Sequence, residues 1–115
     1  ERYRAIFEQA DEGMGIFRGD TIALVNTAAA RMLGYDSPDA LVGQHPARLS
    51  PTRQPDGSVS AQRVAASVER LMETGYNRFS WVHLSKSGQP VPLDVSLIRL
   101  DSTAEPEILF VWRKA

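Results

Sequence analysis

Apolar and polar positions along the chain alternate between a helical and a strand period, and each change marks an element. Tyr3, Ile6, Phe7 and Ala10 fall at i, i+3, i+4 and i+7, one stripe on a helix over Arg2–Gln9. That stripe must pack on the rest of the domain or on a second copy, so Tyr3, Ile6 and Phe7 are the candidates for a dimer interface. Gly13 and Gly15 then break helical propensity. Two β-type runs follow, Met14–Phe17 and Thr21–Val25, and Gly19-Asp20 between them suits a tight hairpin. Asn26 is placed to cap a short Ala-rich helix over Thr27–Leu33, with Gly34 as its left-handed terminator. Ser37-Pro38 starts a further turn that ends at Gly43.

The stretch Gln44–Val59 holds Pro46, Pro51, Pro55 and Gly57 and reads as the least regular part of the chain. Ser60 then reads as the cap of a longer helix, Ala61–Thr74, whose stripe is Val64, Val68, Leu71 and Met72 and whose terminator is Gly75. The remainder is strand-like: Tyr76–Leu84, Val91–Leu100 and Glu107–Arg113, joined by Ser87-Gly88-Gln89 and Ser102–Pro106. Val91, Leu93, Val95 and Leu97 alternate with Pro92, Asp94 and Ser96, so one face of that strand is buried and the other wetter. The last strand is apolar on both faces, Ile108/Phe110/Trp112 and Leu109/Val111, which predicts a central place in the sheet. Two strands, then helices, then three strands give an α+β architecture, a single antiparallel sheet with helices across one face.

Composition narrows the function more than the fold. The chain has 115 residues, 13 Lys+Arg and 14 Asp+Glu, for a net charge of −1. One domain is expected at this length. No basic excess favours nucleic acid, and no apolar run approaches a membrane span. The absence of Cys removes disulfides, thiolate metal sites, a cysteine nucleophile and any cysteinyl cofactor adduct. No Gly-x-Ser-x-Gly elbow, P-loop or Gly-x-Gly-x-x-Gly is present, so an enzyme is not expected. The chain opens on Glu1 inside a helical stretch without a signal peptide, and a cytoplasmic fragment of a longer protein is the expectation.

An ordered set of residues carries a family resemblance. It comprises Phe7 with the Gly13–Phe17 strand, Val25-Asn26, Leu33-Gly34-Tyr35, Leu41-Val42-Gly43, Gly75 and Lys86-Ser87-Gly88. In this order the chain resembles a PAS domain over its whole length. It is similar to a bacterial subgroup through Pro51, Gln54-Pro55-Asp56-Gly57, Ser60 and Phe79-Ser80-Trp81-Val82-His83, although many members carry an acidic residue where Ser80 stands. The resemblance implies a PAS-like five-stranded antiparallel sheet with short helices and one longer helix across one face, plus an N-terminal helix. It implies a pocket between sheet and helices. It also implies a sensory module that binds a small ligand, or relays a signal, to an output domain in the same chain. That output domain is expected to be a histidine kinase; the alternative is a ligand-free dimerisation module of a diguanylate cyclase or a chemoreceptor-like protein.

The candidate pocket residues are Asn26, Gln54, Trp81 and His83, and each has a plainer reading beside the functional one. Asn26 is a helix cap or a pocket amide. Gln54 faces a ligand from a loop rim, or belongs to a Pro-Asp-Gly turn that positions the longer helix. Trp81 stacks on a ligand or fills the core. His83, on one strand face with Phe79 and Trp81, is a polar group in the pocket or a strand histidine with its edge in water. The resemblance places the axial His of a haem on the longer helix, and Ala61–Thr74 has none, so a His-ligated haem is not expected. A non-covalent flavin stays open and the cofactor is unknown. His45 and His83 alone do not make a metal site.

Overall fold

The computed structural model describes residues 2–100 and 107–115, with side chains described from Arg4 onward. The Ser102–Pro106 link and the Tyr3 side chain lie outside the described residues. The elements in chain order are α1 (Arg2–Gln9), β1 (Gly13–Arg18), β2 (Thr21–Val25), α2 (Thr27–Met32), α3 (Ser60–Thr74), β3 (Tyr76–Leu84), β4 (Pro90–Leu100) and β5 (Glu107–Lys114). Two short 3₁₀ turns, Pro38–Ala40 and Pro46–Leu49, lie between α2 and α3. The strands form one five-stranded antiparallel sheet in the order β2-β1-β5-β4-β3. β5 is therefore central, as its two apolar faces predict.

Local chemistry explains most boundaries. Arg18 pairs with Thr21, which leaves Gly19-Asp20 as a two-residue hairpin loop, and Gly19 takes φ +64°. α3 ends where Gly75 adopts a left-handed conformation and its N–H bonds to Leu71 O at 2.7 Å. The start of α3 differs from the sequence reading. Val59, not Ser60, is the capping residue, and it makes no side-chain cap bond. Ser60 lies inside the helix because its hydroxyl has another partner, accepting from Gln54 Nε2 at 3.0 Å. The stretch read as irregular also contains a regular piece: His45 caps the Pro46–Leu49 turn, its Nδ1 accepting from Ala47 N at 3.0 Å.

The two faces of the sheet differ. The inner face, under α3 and the 3₁₀ turns, carries Phe17, Ile22, Val25, Trp81, Leu93, Val95, Leu97, Ile108, Phe110 and Trp112, all buried. Burying a side chain such as Phe110 stabilises the fold by about 2 kcal/mol. Phe110 can lie flat against β1 because its partner there is Gly15, where a Cβ would sit 2.3 Å from the ring. A bulge between the Ile16 and Phe17 pairings brings both Ile22 and Val25 to this face, three residues apart. The outer face carries one apolar residue from each strand in a single row, Leu24, Ile16, Leu109, Ile98 and Tyr76. Ion pairs flank the row: Arg18 with Glu107 at 2.8 Å, Arg78 with Asp94, and Arg113 with Glu12.

Candidate functional site

A cavity of about 130 Å³ lies between α3 and the inner face of the sheet. The helical period supplies one wall: Val64, Ser67 and Val68 project from one face of α3. The strand period supplies another: Phe79, Trp81 and His83 alternate along β3 and stand beside Val95, Leu93 and Val91 of β4. Phe17, Ile108 and Trp112 close the floor, and the exposed Gly19-Asp20 turn and half-buried His45 bound the opening. Nearly the whole lining is apolar.

His83 and Trp81 are held in this wall by the loop before α3. Ser50 Oγ accepts from Trp81 Nε1 at 3.0 Å and donates to Pro46 O at 2.7 Å. His83 Nδ1 lies 3.1 Å from both Leu49 O and Ser50 Oγ. A carbonyl oxygen only accepts, and the Ser50 hydroxyl proton already goes to Pro46. The proton between them therefore sits on Nδ1. Burial lowers the imidazole's pKa from 6.5 to about 4, against the opposing bond to Leu49 O. His83 is 3% exposed, so the reading of a strand histidine with its edge in water does not hold. Its ring packs at 4.8 Å from Trp112 and 6.4 Å from Trp81.

The other two sequence candidates lie elsewhere. Asn26 is fully buried and caps α2, its Oδ1 accepting from Ala29 N and Met14 N at 3.0 Å each. Its Nδ2 donates to Phe7 O and Glu12 O, also at 3.0 Å each. All four hydrogen bonds that the amide can readily make are taken, and Asn26 does not line the cavity. Gln54 behaves alike. Its Oε1 accepts from Val82 N at 2.9 Å and its Nε2 donates to Val82 O at 3.1 Å, so the amide pairs with the free edge of β3 as a strand would. The Pro55-Asp56 turn that presents it is closed by Gly57 N to Gln54 O at 2.8 Å. The Asp56 carboxyl is held below its ordinary pKa, first by the Ser58 hydroxyl and then by the Ser58 N–H.

The sequence reading missed Ser50 and Ser67. Ser67 was legible as a gap inside the Val64/Val68 stripe. Ser50 had no local signal, because its partners Trp81 and His83 lie more than thirty positions away. Of the dimer candidates, Ile6 is 64% exposed and Phe7 is half-buried. Among the described residues no three His, Asp or Glu side chains come together as metal ligands, and no helix is long and apolar enough to cross a membrane. The cavity is below the roughly 300 Å³ at which pockets for drug-sized molecules begin.

These features define a class. A family profile described as PAS domain matches residues 1–69, and the sheet and helices match that fold over the rest of the chain. The chain belongs to the PAS domain family, a class of sensory signalling modules. No curated protein matches it. Among solved structures it is similar to the PAS domain of an HTR-like protein from Haloarcula marismortui, at 20% identity and TM-score 0.81 over 99% of this chain and 89% of that one. It is also similar to a domain of a sensory box sensor histidine kinase/response regulator from Geobacter sulfurreducens, at 24% identity and TM-score 0.80 over 98% and 91%. A third is the PAS domain, in complex with ethanol, of a LuxR-family transcriptional regulator from Burkholderia thailandensis, at 20% identity and TM-score 0.75 over 97% and 96%.

Proposed function

We propose that this chain is a cytoplasmic sensory module of a longer signalling protein and that it takes a small ligand in the cavity between α3 and the sheet. The observation that carries this reading is the cavity itself, an apolar space of about 130 Å³ with the fixed side chains of Trp81 and His83 in its wall. Occupancy would favour one packing of α1 and β5 over another, and an output domain in the same chain would read the difference. A histidine kinase is the output supported by the Geobacter neighbour. The ethanol complex of the Burkholderia neighbour supports a ligand of few atoms.

Native mass spectrometry of the purified chain tests the reading, beside a variant with the cavity filled. The unaltered chain is expected to carry an excess mass, or to acquire one from a small-molecule screen, that is lost on denaturation. Val68→Phe, which places a ring into the cavity, is expected to abolish it. Ligand retained by Val68→Phe would remove the cavity as the site.

A second reading is a dimerisation and relay module without a ligand. Ile6, 64% exposed on α1, favours it. Light scattering of Ile6→Lys decides this reading. An unaltered chain that is dimeric and a variant that is monomeric would support it, and a variant that stays dimeric would exclude α1 as the interface.

A further inference from the structure

Among the buried residues that line the cavity, one side-chain polar atom has no partner among the described residues. Among the described residues, every side-chain nitrogen or oxygen fully shut off from its surroundings makes a hydrogen bond. His83 Nδ1 is bonded to Leu49 O and Ser50 Oγ, yet Nε2 bonds to nothing among the described residues. Nε2 therefore retains open surface, and the cavity is the space His83 lines. With the proton fixed on Nδ1, Nε2 presents a bare lone pair. It is a hydrogen-bond acceptor and cannot donate. Burial keeps the ring in that neutral form at neutral pH, with the pKa lowered to about 4.

The rest of the lining sets the remainder of the ligand. No Lys or Arg lines the cavity and half-buried His45 stands at its opening, so an anion in the interior would be stripped of water without a cation to receive it. Asp20 lies on the exposed turn at the opening and not in the interior, so a cation finds no buried carboxylate. A pure hydrocarbon would fill the volume but leave the Nε2 lone pair unbonded and out of water. Ser67, a hydroxyl that can donate or accept, does not discriminate among these. The volume of about 130 Å³ is close to that of the apolar cavity of about 150 Å³ that admits benzene in another protein.

We infer that the cavity selects a small neutral alcohol or phenol, a compact apolar body whose single O–H donates to His83 Nε2. The inference rests on the reading of the cavity as a ligand site and adds the chemistry of the ligand. His83 supplies the acceptor. Leu49 O and Ser50 Oγ hold its tautomer, and the aromatic and branched side chains receive the apolar part.

Phenol and toluene are the probes, because they match in size and differ in the donor. Calorimetric titration of the 115-residue chain is expected to give phenol an affinity about tenfold higher than toluene, the worth of one net hydrogen bond. In His83→Phe, which keeps the bulk and removes the acceptor, toluene binding is expected to persist and the preference for phenol to vanish. Nitrogen-15 NMR of the unaltered chain carries the test if that variant does not fold: phenol, and not toluene, should move the resonance of the unprotonated Nε2 towards that of a hydrogen-bonded nitrogen. Equal binding of the two probes with a still Nε2 resonance would overturn the inference while leaving the cavity a ligand site. A still Nε2 resonance with no binding of either probe would overturn it too. A native mass that stays bare across the small-molecule screen would then remove the sensory reading as well.

Discussion

Asn26 and His83 are both buried polar side chains, and they do opposite things. Asn26 has its amide bonded on every side, to α1, to β1 and to its own helix α2. His83 lines a cavity and has one ring nitrogen bonded to the loop before α3 and the other without a partner among the described residues. The first arrangement is architecture: a saturated amide ties three elements together and leaves nothing for a ligand. The second is an apolar wall that keeps a buried acceptor available, which suits recognition of a small molecule. Burial and polarity alone do not separate the two. The count of unused hydrogen-bonding capacity does.

The comparison can be broken most directly at Asn26. Asn26→Ala removes four hydrogen bonds and strands Met14 N and the Glu12 and Phe7 carbonyls, and we expect about 4 kcal/mol of destabilisation in urea unfolding. A loss under ~1 kcal/mol would mean that the corner around Asn26 is not held by it.

The next largest effect belongs to His83 and appears with pH. The unfolded imidazole takes up its proton near pH 6.5, and the folded one near 4. Between these values the unfolded chain binds more protons, so stability is full above pH 6.5 and falls as the pH drops towards 4, by about 3 kcal/mol. The Asp56 and Asp94 carboxyls, both lowered from 3.8, act in the same sense at lower pH. Urea unfolding across pH 4 to 7 should show the slope in the unaltered chain and lose most of it in His83→Phe.

Gln54→Ala should cost about 2 kcal/mol, less than Asn26, because Val82 lies on the edge strand and water can replace part of the lost pairing. Phenol binding should survive that change, since Gln54 is outside the cavity. The smallest effect is expected on the outer face: Arg18→Ala removes an exposed ion pair with Glu107, and thermal unfolding should shift by the equivalent of less than ~1 kcal/mol.

Much of the fold is carried by local signals. The Gly19-Asp20 loop, the Asn26 cap, the Gly75 terminator and the span of β3 each depend on residues within a few positions of one another, and each appears where the pattern places it. The central place of β5 follows from its two apolar faces. The boundary at Ser60 fails for the complementary reason. A serine before an apolar helical run reads as a cap, but Gln54 takes its hydroxyl across a turn. The faces of β2 were equally hidden, because the bulge that brings Ile22 and Val25 together is set by pairing with β1.

For the site, the sequence determined the residue types on one face of β3, so that Phe79, Trp81 and His83 face one way by the period of a strand. Tertiary structure alone decided that Trp81 and His83 reach the cavity while Asn26 and Gln54 do not. The reason is that a hydrogen bond depends on what else comes within about 3 Å. Asn26 meets Phe7 and Glu12, and Gln54 meets Val82. His83 meets Leu49 and Ser50 on one nitrogen only. Those neighbours are chosen by the folding of distant segments onto one another, and periodicity along the chain carries no record of them.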